Sequence, residues 1–399
     1  MDKEMETNIA LDNTSKAFSA KTDSQLKKSL WLFRLMKSPT LVNVFSKLTL
    51  FAIKVGIPIK PMIKATIFNQ FCGGENMGET KTVVDKLHQS NIGAILDYSV
   101  EGKETAEDLD GTKSEVLRII DLASGNPAIP YTCLKLTGII AHSLLETLSS
   151  EKPLSDNEKD EYVKAWDRLN EVCKSAHAHK VPIFIDAEES WIQVAIDSMA
   201  EEMMRLYNTE SAIVLTTLQM YRWDRISYLM NLIAKARKDK FFIGIKLVRG
   251  AYLERENKRA LEQHYHTPIH LSKESTDIDF DKAITICLEN IDIITLCAGT
   301  HNEASTMFVV HEMNRLGIAN NNKHIYFSQL FGMSDHISYN LADSGYNVTK
   351  YLPYGPVKSV IPYLIRRAQE NTAIAGQMSR ELKLITEEKE RRNQVKLLK

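Results

Sequence analysis

The chain has 399 residues, 44% of them hydrophobic and 25% charged, which is enough apolar material for a large folded core. Its formal net charge is −1, so no basic field marks a nucleic-acid partner. Cys72, Cys133, Cys173, Cys287 and Cys297 are widely spaced with no C-x-x-C pair; they fit small core residues in a reducing compartment, not a disulfide frame or zinc knuckle.

The opening Met1-Asp-Lys-Glu-Met-Glu is acidic and unlike a secretory or organelle leader. Residues 1 to about 20 are polar and read as loosely attached. A helical arm is expected over residues 1–88. Ser24 is placed to cap a helix carrying Leu26, Leu30, Trp31, Leu32 and Phe33, which Pro39 ends. Leu41 to Pro61 is the longest apolar stretch, but Ser46, Lys47, Lys54, Gly56 and Pro58 interrupt it too often for a membrane span. Phe71-Cys-Gly-Gly-Glu75 reads as a loop, and Thr80 to Gln89 as a short helix.

Over residues 89–375 short apolar runs alternate with helical segments such as Asn157 to His179 and Ser190 to Leu206. The runs are Ile92 to Val100, Thr132 to Thr137, Ile183 to Asp186, Ala212 to Leu218, Phe242 to Val248, Ile291 to Ala298, Ile325 to Gln329 and Tyr346 to Leu352. Runs of this length suit strands buried on both faces. Eight of them alternating with helices predict an α/β chain folded as a (β/α)8 barrel, which uses about 250 residues. A doubly wound dinucleotide-binding sheet would carry G-x-G-x-x-G after its first strand, and none follows here. The tail, 376–399, is rich in Lys, Arg and Glu and reads as a solvated final helix or a frayed end.

In such a barrel the strand C-termini and the loops after them carry the site. Lys135 lies in the second run, Asp186 ends the third and Gln219 follows the fourth. Lys246 lies in the fifth run, and Arg249, Gly250 and Ala251 follow it. Thr300, His301 and Asn302 follow the sixth, and Gln329 ends the seventh. The eighth supplies Tyr351 in Tyr351-Leu-Pro-Tyr-Gly-Pro, with Pro362-Tyr-Leu-Ile-Arg-Arg-Ala-Gln-Glu-Asn371 soon after. Arg366 and Glu370 are four apart and share a helix face, with Arg367 about 100° round from Arg366. Two neighbouring guanidinium forks suit a carboxylate or a phosphate. A mouth gathering Lys135, Lys246, Arg249, Arg366 and Arg367 with Asp186 and Glu370 is expected to be strongly cationic. It suits two anions, a pyrophosphate-bearing cofactor and a carboxylate substrate. His264-Tyr-His266-x3-His270 has metal-like spacing, but Pro268 breaks any helix there and no cysteine or paired carboxylate completes it, so no metal site is expected.

The motifs Leu-Lys135-Leu-Thr, Ile-Asp186-Ala-Glu, Lys246-Leu-Val-Arg-Gly-Ala-Tyr-Leu253, Gly-Thr-His301-Asn-Glu, Gly332-Met-Ser-Asp and the Tyr351 to Asn371 segment stand in one order. In that order they resemble proline dehydrogenase, in the monofunctional form shared by bacteria and mitochondria. The resemblance runs from about Phe71-Cys-Gly-Gly-Glu to Asn371. It implies a distorted barrel holding FAD, oxidation of L-proline to Δ1-pyrroline-5-carboxylate with hydride passing from C5 to flavin N5, and a membrane quinone as electron acceptor. By the same resemblance Arg366, Arg367 and Lys135 clamp the proline carboxylate and Tyr351 walls the ring. Asp186 lies near substrate and flavin as a catalytic candidate, and either it or water takes the proton the ring nitrogen must lose. Gln219, Arg249, Gly250, Ala251, Thr300, His301, Asn302, Gln329 and Glu370 match flavin-contact positions. Lys246 stands where many bacterial members carry arginine, which keeps the charge and loses the fork. Leu253 stands where the bifunctional form has tryptophan.

Other expectations go with this one. The acidic start and the broken apolar stretch point to a soluble protein of a bacterial-type cytoplasm, and the quinone implied by the resemblance adds peripheral contact at the inner membrane through residues 25–70. The nearer rival substrate is 4-hydroxyproline, against which Tyr351 speaks, because a large ring leaves little room for a hydroxyl at C4. A non-enzymatic regulator that kept the barrel is the more distant rival.

Overall fold

The computed structural model describes residues 9–55, 57–99, 105–150, 152–373 and 377–398, with no side chain described at 39, 50, 53 or 369–378. Its eight strands are β1 (Ile92–Tyr98), β2 (Tyr131–Lys135), β3 (Ile183–Asp186), β4 (Val214–Gln219), β5 (Ile243–Val248), β6 (Ile294–Gly299), β7 (Ile325–Leu330) and β8 (Val348–Tyr354). They form a closed parallel barrel in sequence order. The expected (β/α)8 barrel is therefore the fold, and each expected run contains or overlaps one strand. Val100, the end of the first run, lies outside the described residues. β8 runs two residues beyond its expected end, through Pro353 to Tyr354.

The chain divides into two compact units. One comprises Ile95–Tyr98 and Gly102–Ser328. Its strands are buried along nearly their whole length, as expected of parallel strands covered by helices. Lys135 and Asp186 are paired in register across β2 and β3, and Thr217 and Lys246 across β4 and β5. An aromatic group fills part of the barrel. The Tyr131 and Phe184 rings stack at 4.9 Å, and Tyr326 meets Tyr131 edge-on at 4.8 Å. All five cysteines are buried and none is disulfide-bonded. Burial pushes the Cys133 thiol well up and the Cys297 thiol to about 12, so neither supplies a thiolate near neutral pH.

The other unit comprises Met1–Ala94, Ser99–Glu101 and Gln329–Lys399. Helix Asp23–Met36 is capped by Thr22 in a capping box with Gln25, two residues earlier than the expected Ser24 cap. The Phe71 to Glu75 loop is tied to the end of β8: Gly73 N–H donates to Pro353 O at 2.8 Å, and Gly355 N–H to Gly74 O at 3.0 Å. Leu26, Phe33 and Phe71 share one core with Val360, Leu364, Leu384 and Ile385. Both termini thus differ from the expectation. Residues from Leu11 onward are held, because Ala17 and Phe18 are buried and Asn340 donates to Leu11 O and Asn13 O. Helix Gln377–Leu397 is not solvated on every face. It buries Leu384 and Ile385, and its buried Glu388 accepts from Arg391 and Arg392. Lys350, fully buried on β8, pairs with Asp335 at 2.9 Å, and Lys21 pairs with the same carboxylate at 2.8 Å. Burial would raise the Asp335 carboxyl, but the two lysines hold it well below the usual range. Among the described residues, no helix is long and apolar enough to cross a membrane.

Candidate active site

The strand ends of the Ile95–Ser328 unit carry an alternating row of charges. Lys135 Nζ, at the end of β2, lies 3.2 Å from each carboxylate oxygen of Asp97 on β1. It also lies 3.8 Å from Asp186 Oδ2 at the end of β3. Lys246 of β5 donates to the other oxygen of Asp186 and sits 4.9 Å over the Phe184 ring. The order is Asp97, Lys135, Asp186, Lys246. Burial acts to lower the Lys135 ammonium, but Asp97 and Asp186 carry it well above its ordinary value. Lys135 is therefore a cation at any physiological pH.

Within this unit the lysines are balanced by acids. A buried cation without a counter-charge is too costly, and each lysine here has an acid beside it. Asp97 was missed because the run Ile92-Gly-Ala-Ile-Leu-Asp-Tyr98 reads as one apolar strand. The usable signal was its single acid, since a charge inside a buried strand needs a partner.

A second cluster surrounds Arg249, just after β5. Its fork donates to Asp277 Oδ1 at 2.6 Å, Thr300 Oγ1 at 2.6 Å and Ser305 Oγ at 2.9 Å, and its plane lies 4.6 Å from the Phe280 ring centre. Burial would raise the Asp277 carboxyl, but Lys273 and Arg249 bring it below the usual range. Thr300 Oγ1 also accepts from Asn302 N–H at 3.1 Å. The Asn302 side chain caps the helix Glu303–Arg315, accepting from Ala304 N–H at 2.8 Å and Ser305 N–H at 3.2 Å. His301 lies half-buried between them.

Gln219 ties two loops together. Its amide N–H donates to Glu188 O at 2.7 Å, and its carbonyl accepts from Ala251 N–H at 3.0 Å. Between Arg249 and Ala251, Gly250 adopts φ +141°, and a Cβ there would stand 2.5 Å from the Tyr221 ring, so only glycine lets the backbone pass. Glu188 is buried and accepts from Thr137 N–H at 3.0 Å and Thr137 Oγ1 at 2.5 Å. Burial pushes its carboxyl up to about 7 against those two hydrogen bonds. Thr217 is a further residue that sequence reasoning passed over. It shares a strand face with Gln219, and its buried hydroxyl has no hydrogen-bond partner among the described residues.

In the unit holding Gln329–Lys399, Gln329 accepts from Ser338 Oγ at 2.8 Å. Tyr351 is buried on β8, and its carbonyl accepts from Phe331 N–H at 2.9 Å. Arg366 and Arg367 lie half-buried on the helix Val357–Ala373, with Arg367 5.3 Å over the Tyr363 ring. The Glu370 side chain lies outside the described residues. His270 of the histidine-rich loop pairs with Asp279 at 2.8 Å.

A family model described as proline dehydrogenase matches residues 80–380. A mitochondrial proline dehydrogenase 1 of Dictyostelium discoideum is 30% identical over 97% of this chain and 76% of its own length. A hydroxyproline dehydrogenase of Xenopus laevis is 30% identical over 94% of this chain and 88% of its own length. Among solved structures, proline utilization A from Bdellovibrio bacteriovorus, inactivated by N-propargylglycine, superposes with a TM-score of 0.71 at 18% identity. That match covers 92% of this chain and 40% of that much longer one, and at such identity it speaks for the fold.

Proposed function

The chain belongs to the proline dehydrogenase family, and on that premise we propose that it oxidises L-proline to Δ1-pyrroline-5-carboxylate with FAD as its cofactor and a quinone as the final acceptor. The observation that carries this reading is the row Asp97, Lys135, Asp186, Lys246 at the strand ends. It supplies a fixed cation for a carboxylate and a second cation over an aromatic ring within one buried site.

The residues suit a flavin. The Thr217 hydroxyl is a buried polar group with no hydrogen-bond partner among the described residues, in register with Lys246. Gly250 opens the backbone beside Arg249, Ala251 and Gln219. When bound, the flavin supplies the two-electron acceptor that oxidation of a secondary amine requires. In this reading Lys246 places positive charge where the cofactor gains negative charge, and Asp186 holds that lysine in position. Gln219, Arg249, Gly250, Ala251, Thr300, His301, Asn302, Gln329 and Glu370 are the residues assigned to holding the cofactor.

Lys135 binds the substrate carboxylate, kept protonated by Asp97 and Asp186. Tyr351, Arg366 and Arg367 keep the substrate roles that the family resemblance gives them. The ring nitrogen must shed a proton before its C–N bond can become C=N. Asp186, already engaged by two lysines, is a poor base, so that proton goes to water. The setting is a bacterial-type cytoplasm with peripheral contact at the inner membrane, where a quinone is reached.

One relative carries hydroxyproline dehydrogenase in its name, which keeps oxidation of 4-hydroxyproline as a second reading. Incubation with each amino acid and an artificial acceptor tests the choice. A product two hydrogens lighter than proline supports the first reading. Turnover of hydroxyproline alone supports the second.

A further inference from the structure

Lys135 ends β2, and the chain passes at once into a single 3-10 turn, Leu136–Gly138. Such a turn leaves its first N–H groups without acceptors in the chain before it, so a side chain must take them. The cap position belongs to Lys135 itself, whose ammonium can only donate, and it makes no capping hydrogen bond. The acceptor comes instead from the loop after β3. Glu188 takes Thr137 N–H at 3.0 Å with one carboxyl oxygen and Thr137 Oγ1 at 2.5 Å with the other. Two bonds to one residue fix the direction of the turn as well as its place.

Glu188 is itself held from both sides. Its N–H donates to Gln193 Oε1 at 2.9 Å, and Gln193 donates in turn to Asp197, which pairs with Arg225 at 2.6 Å. Its carbonyl accepts from Gln219 at 2.7 Å. An acceptor fixed at its own backbone is a rigid support for the turn it caps.

We propose that Glu188 is a positioning residue for the reaction: through Thr137 it holds the turn from which Lys135 meets the substrate carboxylate. The inference deepens the functional reading above and rests on it for the identity of that carboxylate.

The link exists in both charge states of Glu188. As the neutral acid it donates to Thr137 Oγ1 and still accepts from Thr137 N–H; as the carboxylate it accepts both. What changes is one negative charge. Burial pushes the carboxyl up to about 7; the two Thr137 hydrogen bonds and Lys135 act against that rise, and Glu189 acts with it. The other acids nearby have cations of their own: Glu189 has Arg255, Asp197 has Arg225 and Asp186 has Lys246. Ionisation of Glu188 therefore adds negative charge near Lys135 and opposes an arriving carboxylate.

The test is turnover of proline by the flavin-loaded enzyme, together with binding of cyclopentanecarboxylate, which has the carboxylate but no nitrogen to oxidise, read by calorimetry. Glu188→Ala should raise the KM for proline and the Kd for cyclopentanecarboxylate about tenfold, the effect of losing one or two hydrogen bonds. The rise in KM should far exceed any fall in kcat. Glu188→Gln should match the wild type near pH 6 and bind about threefold tighter than it at about pH 8.5. A merely structural role would lower the folded fraction and leave KM and its pH dependence alone. Should Glu188→Ala fail to fold, Thr137→Val, which removes only the hydroxyl's bond, should give a smaller rise in KM. An unchanged KM, or a Glu188→Gln variant that follows the wild type at both pH values, overturns the proposal. A wild type that neither binds nor oxidises proline would instead remove the functional reading. Glu188 as holder of the turn is then decided by amide exchange at Thr137 and Gly138, which Glu188→Ala should speed about tenfold; unchanged exchange there overturns it.

Discussion

Lys135 Nζ stands equally far, 3.2 Å, from both carboxylate oxygens of Asp97, which makes Asp97 its main counter-ion and Asp186, at 3.8 Å, its second. Removing the lysine strands a buried acid, and breaking such a pair costs about 3–5 kcal/mol. Lys135→Met should therefore lower stability by that order and raise the KM for proline about 100-fold, the effect of losing one charge-assisted bond. Asp97→Asn should cost less, because Asp186 still faces the lysine. In the double variant the two losses should fall short of their sum by at least about 1 kcal/mol. Strict additivity in urea unfolding would mean that the pair is not coupled.

Arg249 spends its fork on three partners, Asp277, Thr300 and Ser305. Lysine at this position has the charge without the geometry. Arg249→Lys should cost about 1–3 kcal/mol, from two lost hydrogen bonds at about 0.5–1.5 kcal/mol each. It should also loosen the loop between β5 and helix Leu253–Glu262, read as faster amide exchange at Gly250 and Ala251. Unchanged exchange there would remove Arg249 from the positioning of that loop.

Glu188 gives a pH dependence with a definite sign. Its carboxyl titrates at about 7 in the fold against 4.5 ordinarily, because burial opposes its charge. Between those values the folded chain keeps a proton that the unfolded chain releases. Stability therefore falls as pH rises from about 4.5 to about 7, by about 3 kcal/mol, and stays reduced above that. Glu188→Gln removes the titration while keeping an acceptor for Thr137 N–H. The variant should gain on the wild type steadily across this window in urea midpoints. A difference that does not change with pH would contradict the account.

Tyr351 is the residue assigned to the proline ring. Tyr351→Ser should raise turnover of 4-hydroxyproline relative to proline by opening space at C4. An unchanged ratio of kcat/KM values would show that Tyr351 does not set this preference.

The barrel was legible because each strand is an apolar run ended by polar residues, a local signal that buried parallel strands cannot avoid. Lys135, Asp186 and Lys246 were legible for the same reason, as charges standing at the ends of such runs. Asp97 stood inside such a run too, but it was passed over because the partner that gives it meaning, Lys135, lies 38 positions away. The terminal segments were misread for a related cause. Leu384 and Ile385 lie among many charged residues, and what buries them is the core they share with Leu26 and Phe33, at the other end of the chain. Local composition carries no trace of such a partner. Thr217 escaped notice because a threonine in a strand is ordinary until its hydroxyl is seen to lack a partner.

The most direct measurement is anaerobic. The purified protein is mixed with L-proline, and the visible absorbance of its flavin is followed. The account predicts a yellow protein that proline bleaches and that hydroxyproline bleaches weakly or not at all. A colourless protein, or a bound flavin that stays oxidised with proline, would contradict it.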